Sequence, residues 1–145
     1  MELALAGARK LTIVNVPRDG HLAEGLVRTL REGTRVEVEY VPWVGSVRVP
    51  SGTDVLVNAT SIGLHPNVKD KPELDYDSMG PGLYVQDVIP NPAFTPFLAE
   101  AERRGLRWQS GLEMLINQAA LNIVMWTGKQ PDKDVMRKAL EEALR

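Results

Sequence analysis

Two short runs of aliphatic residues limit what this chain can fold into. Residues 11–14 (LTIV) and 54–57 (DVLV) show no polar alternation. Strands of that kind are apolar on both faces, the mark of a parallel sheet covered by helices. Residues 18–32 carry Leu22, Leu26 and Leu30 at helical spacing, with Gly33 expected just past the helix end. Residues 34–41 alternate strictly, Val36, Val38 and Tyr40 against Arg35, Glu37 and Glu39. That strand has one wet face and belongs at a sheet edge.

The same alternation of elements continues. Residues 65–82 hold Pro, Asp, Lys and Asn without periodicity and read as a long surface loop. Residues 83–89 form a third inner strand. Thr95 is a good N-cap, Pro96 suits the first helical position, and Gly105 ends that helix. A short strand at 106–109 precedes a helix over 112–126, whose buried stripe is expected to be Leu112, Leu115, Ile116, Ala119, Ile123 and Trp126. Asp132 caps a last helix with Val135, Met136, Ala139, Leu140, Ala143 and Leu144 inward. The class is α/β with a parallel sheet flanked by helices. The 145 residues suit a single domain spanning 1–145, and no linker or repeat divides them.

Composition excludes several functions. The net charge is −2 with acid and base interspersed, so no basic stripe suits nucleic acid. No run approaches the roughly 18 apolar residues of a membrane span. Cysteine is absent, which rules out thiolate metal sites and suits the reducing cytoplasm. The two histidines, His21 and His65, have no ligand-like spacing, so no zinc site is implied.

Ligands of open parallel sheets bind beyond the carboxyl ends of the strands. Three such ends carry polar groups: Asn15, then Asn58-Ala59-Thr60-Ser61, then Gln86-Asp87. Each set also suits ordinary turn chemistry. Gln118 lies in an otherwise apolar helix, beside Asn117 and four residues before Asn122. Buried there, an amide needs partners: either a structural pairing with a loop or a polyhydroxy ligand.

Residues 54–63 (DVLVNATSIG), 85–98 (VQDVIPNPAFTPFL) and 110–128 (SGLEMLINQAALNIVMWTG) resemble, in order and spacing, three signatures of the shikimate/quinate dehydrogenases. The resemblance implies a Rossmann-type NAD(P)-binding domain, the C-terminal domain of that family. It places Gly111 against the nicotinamide and has the Val88 carbonyl accept from the carboxamide. Asn58, Ala59, Thr60 and Ser61 would line the cofactor cleft. Gln118 would reach substrate hydroxyls. Residues 15–20 (NVPRDG) fall where the family reads the adenosine ribose. Asn15 replaces the acid that favours NAD, and Arg18 could pair with a 2′-phosphate, so NADP is the expected cofactor and NAD the alternative.

Two departures matter. Pro90 stands where many relatives carry a substrate-binding tyrosine. Val16-Pro17 interrupts the usual Asn-Arg-Thr form. Parts of the family pattern also find no match. No glycine-rich phosphate loop is present, since Gly80-Pro81-Gly82 precedes a strand instead of opening a helix. Residues 2–7 look like the tail of the helix after that loop, so the domain reads as N-terminally truncated, lacking its first strand. No segment resembles the domain that supplies the family's catalytic lysine and aspartate. Lys10, Lys69 and Lys71 lie in segments matching other parts of the fold, and no catalytic residue is assigned.

The resulting expectation is the cofactor-binding part of an oxidoreductase moving hydride between NADP(H) or NAD(H) and shikimate, quinate or a related hydroxylated ring acid. The isolated chain is expected to be inactive. The competing reading is a non-catalytic nucleotide-binding or oligomerisation module. Expected partners are a small-molecule substrate and either a second copy or a missing N-terminal domain. Without its first strand, LTIV and DVLV should show open inner edges, which pair directly, recruit a neighbouring chain, or leave the polypeptide poorly stable.

Overall fold

The computed structural model describes residues 1–144, which divide into two compact units, Met1–Val47 and the chain from Arg48 onward. The first unit begins with a short helix α1 (Glu2–Leu5), closed by Gly7 at φ +97°. Strand β1 (Lys10–Asn15) runs parallel to β2 (Glu37–Pro42), with Ile13 opposite Tyr40. Helix α2 (Gly20–Gly33) connects them, a βαβ crossover.

Three expectations change here. The helix starts later than the hydrophobic pattern suggests, because Pro17–Asp19 form a 3-10 turn. Gly33 is the last helical residue, and extended Thr34 closes the helix. The buried stripe is Ala23, Val27 and Leu30, whereas Leu22 and Leu26 are exposed. Val36, Val38 and half-buried Leu11, Ile13 and Tyr40 complete that core. The LTIV run is therefore only half-buried, since its strand is paired on one side alone.

The second unit begins at Arg48, within β3 (Val47–Arg48), which pairs with β5 (Leu74–Asp75). Its main sheet joins β4 (Val55–Asn58), β6 (Tyr84–Asp87) and β7 (Arg107–Gln109), all parallel in the order β4-β6-β7. LTIV and DVLV thus lie in separate sheets and do not pair with each other. Val55 and Val57 of β4 are exposed, as expected of an inner-type strand at an open edge.

Helix α3 (Pro96–Arg103) begins at Thr95, whose Oγ1 accepts from Leu98 N, and Gly105 follows it at φ +67°. Phe97, Leu98 and Ala101 pack with Val85, Leu83, Val49, Met79 and Leu106 into the core of this unit. The segment expected to be a plain surface loop contributes Leu74, Tyr76 and Met79 to that core.

Helix α4 (Gly111–Thr127) ends at Gly128 with φ +68°. It buries Leu112, Ile116 and Ala120, a stripe displaced from the expected one: Leu115 and Trp126 are exposed. Helix α5 (Lys133–Ala143) is capped by Asp132, as its sequence indicates, but buries none of its residues. Arg137 forks onto both oxygens of Glu113 at 2.8 Å each, which ties α5 to α4. Among the described residues no helix is long and apolar enough to cross a membrane.

Candidate functional site

Parallel pairing brings the carboxyl ends of β4, β6 and β7 to one edge of the second unit's sheet. Asn58 stands opposite Asp87, and Gln86 opposite Gln109. Asn58 and Asp87 are both buried, as is Thr95. Their contacts form one network. Asn58 Nδ2 donates to Asp87 Oδ1 at 3.1 Å and to the Ile62 carbonyl at 3.3 Å. Thr95 Oγ1 donates to Asp87 Oδ2 at 2.6 Å. Ile89 N donates to Asp87 Oδ1 at 3.1 Å.

Asn58 Oδ1 accepts from both Thr60 N, at 3.1 Å, and Thr60 Oγ1, at 2.7 Å. Thr60 Oγ1 in turn accepts from Ile62 N at 3.1 Å. Among the described residues no buried side-chain nitrogen or oxygen lacks a partner. Burial pushes the Asp87 carboxyl above its ordinary range, against the hydrogen bonds from Thr95, Ile89 and Asn58 that hold it down.

This network separates support from surface. The side chains of Asn58 and Thr60 are consumed in shaping the loop after β4, whereas Ala59 and Ser61 are exposed upon it. Val88 N donates to the Asn58 carbonyl at 3.1 Å, which joins this loop to the exit of β6.

Gly111 lies against that exit. A Cβ on Gly111 would stand 2.3 Å from Val88 O and 2.5 Å from the Ile89 carbonyl carbon. Real side chains do not come that close, so the glycine is demanded by the chain's own backbone. Its N–H donates to the Ile89 carbonyl at 3.2 Å. The outcome is a close backbone-on-backbone contact, a ledge formed by half-buried Val88 and buried Gly111.

Gln118 lies two turns along α4 and is exposed. The expectation of a buried amide is therefore incorrect. The hydrophobic stripe that would have enclosed it is rotated to Leu112, Ile116 and Ala120. Its neighbour Asn117 accepts from Lys133 Nζ at 2.8 Å.

The first unit holds the other two predicted residues. Asn15 Oδ1 accepts from Val16 N at 2.9 Å and its Nδ2 donates to the Asp19 carbonyl at 3.3 Å. Its amide thus shapes its own turn. Arg18 is strongly exposed and reaches Asp19 Oδ2 at 3.3 Å. Gly20 begins α2 close beneath the Tyr40 ring, where a Cβ would stand 3.1 Å from the hydroxyl oxygen. A shallow concavity of about 440 Å³ in this unit, lined by Glu24, Arg28, Arg31 and Tyr40, contains none of the predicted residues.

Comparison with known proteins decides between a generic α/β domain and a particular one. The model of the Shikimate 5'-dehydrogenase C-terminal domain matches residues 111–141, the segment that carries Gly111 and Gln118. The NADP(+) shikimate dehydrogenase of Desulforamulus reducens is 35% identical over 98% of this chain and 49% of its own length. The chain belongs to the shikimate dehydrogenase family.

Another member, the NADP(+) shikimate dehydrogenase of Geobacillus kaustophilus, is 39% identical over 81% of the chain and 42% of its own length. The chain spans about half the length of the curated relatives it matches. Its fold is the Rossmann-type fold of this family. A ligand-free 5-ketofructose reductase from Gluconobacter superposes with a TM-score of 0.90 at 42% identity, over 98% of this chain and 50% of that one.

Asp87, which the sequence marks only as part of a polar strand end, takes its place in this network from Thr95 and Asn58, eight and 29 positions away.

Proposed function

We propose that this chain is the cofactor-binding part of a shikimate dehydrogenase-like oxidoreductase that uses NADP, with NAD as the alternative. The observation that carries this reading is the ledge formed by Val88 and Gly111. A flat aromatic amide can lie on a surface without side chains, with a backbone carbonyl in reach of its N–H groups. Ala59, Thr60 and Ser61 line the cofactor, and Asn58 holds their loop in shape. Arg18 pairs with the 2′-phosphate through its exposed guanidinium, on the turn that Asn15 fixes. Gln118 offers its exposed amide to substrate hydroxyls.

The nicotinamide supplies the hydride chemistry, and the protein supplies binding and orientation. The first substrate reading is shikimate, quinate or a related hydroxylated ring acid. A second is favoured by a specific pair of observations. Pro90 has no hydroxyl where many relatives carry tyrosine, and the similarity to a 5-ketofructose reductase is high. A polyhydroxylated ketone without a carboxylate is that second reading.

No assigned residue handles the alcohol proton, so the purified chain is expected to show no turnover. NADPH formation from shikimate by this chain alone would refute that. Calorimetric titration tests the cofactor assignment: NADP should bind more tightly than NAD. Binding of neither favours a non-catalytic module instead.

A further inference from the structure

Asp87 is fully buried, yet the donors that reach its oxygens, Asn58 Nδ2, Thr95 Oγ1 and Ile89 N, are all neutral. Such a group has a heavy desolvation cost and is rare without a cation beside it. Its geometry suggests what it does. The Ile89 N–H and the Val88 carbonyl are two ends of one peptide plane. In a trans peptide they point in opposite directions. Holding the N–H inward on Asp87 Oδ1 therefore turns the Val88 carbonyl away from the network and toward Gly111, where its oxygen takes the space a Cβ at that position would need. A hydrogen bond from the N–H end to an anion also polarises the carbonyl end and makes it a stronger acceptor.

We propose that Asp87 is a positioning residue for the cofactor: through the Val88–Ile89 peptide, its carboxylate aims and strengthens the carbonyl that receives an N–H of a primary amide. The proposal rests on the reading of Val88 as the carboxamide's acceptor. Asn58 and Thr95 serve it by holding the carboxylate from its two other sides, which ties the end of β4 and the start of α3 to the aim of one carbonyl. A merely structural Asp87 would affect all ligands of the site alike. A positioning Asp87 discriminates between ligands that do and do not present an amide N–H.

The test compares Asp87→Asn with the unmutated chain for NADP and for its acetylpyridine analogue, where a methyl ketone replaces the amide. The variant should weaken NADP binding by about tenfold, as expected for one hydrogen bond involving a charged group. It should leave the analogue unchanged. Equal losses for both dinucleotides would overturn the proposal.

A second readout needs neither the variant nor the cofactor. In the unmutated chain, NMR should detect a coupling across the hydrogen bond from Ile89 N to the Asp87 carboxyl carbon. Its absence would overturn the proposal even if Asp87→Asn does not fold. If the unmutated chain binds neither dinucleotide while the coupling is present, the cofactor reading fails and the carboxamide fails as the ligand. That outcome removes the reading on which the proposal rests, whereas equal losses for both dinucleotides remove the proposal alone.

Discussion

The turn after β1 and the turn after β6 solve the same problem in opposite ways. Each must hold a loop still at the carboxyl end of a parallel strand. After β1, Asn15 does this at the surface, with its amide bonded to Val16 and Asp19 close by in sequence. After β6, Asp87 does it from inside the core, reaching Asn58, Ile89 and Thr95 on three different segments. The first turn is a local motif that leaves Arg18 free to face solvent. The second is a shared structure in which one substitution is felt by two strands' ends and a helix. Rigid support is thus concentrated where bare backbone, which cannot adjust a rotamer, forms the candidate binding surface.

The sharpest way to break this comparison is Gly111→Ala. The added Cβ would collide with the Val88–Ile89 backbone, and the substitution should destabilise the chain by at least about 3 kcal/mol. The matching change in the first unit, Gly25→Ala, meets nothing within 4 Å and lies inside α2. It should stabilise by about 0.5 to 1 kcal/mol. Urea midpoints of both variants check the pair; similar shifts would mean that the ledge is not tightly packed.

Thr95→Val comes next. It removes a donor to the Asp87 carboxylate and the N-cap of α3 together, and should cost about 2 kcal/mol. Thr95→Ser keeps the hydroxyl and should recover most of the loss in a thermal melt.

Two acids of the second unit, Glu100 and Asp87, should respond to pH with opposite sign. Lys71, Arg103 and Arg104 hold the Glu100 carboxyl down to about 2. Its folded value lies below its unfolded one, so its stabilisation is complete above the ordinary carboxylate range and disappears as pH falls toward 2. Asp87 has a raised folded value because of burial. The folded state keeps that proton longer, so this contribution is complete below the ordinary range and disappears as pH rises through the folded value. Glu100→Gln should therefore flatten the acid limb of a stability–pH profile, and an unchanged limb would contradict the assignment.

The smallest effect on stability belongs to Arg18→Ala. An exposed guanidinium paired with an adjacent acid contributes little, so the melting midpoint should not move. NADP binding should weaken several-fold, with NAD binding unaffected. Equal loss of both dinucleotides would remove Arg18 from the 2′-phosphate assignment.

Much of the fold is legible without coordinates. Strand and helix alternate as the apolar runs indicate. Thr95, Asp132 and Gly105 mark helix ends because caps depend on neighbouring backbone only. The three blocks that resemble a dehydrogenase identify the family, since order and spacing survive in one dimension.

Tertiary structure decided the rest. Helical periodicity allows several adjacent stripes to face the core, and the partner surface selects one. Hence Ala23 and Val27 are buried where Leu22 and Leu26 were expected, and Gln118 stands in solvent. The reason for a glycine at 111 is the backbone of Val88 and Ile89, far back along the chain. The role of Asp87 comes from donors that only the parallel register of β4 and β6 and the docking of α3 bring together. Sequence thus determined the elements, their ends and the family, which are local or ordered along the chain. Which side chains are buried, and which carbonyl is held ready, followed from packing between distant segments.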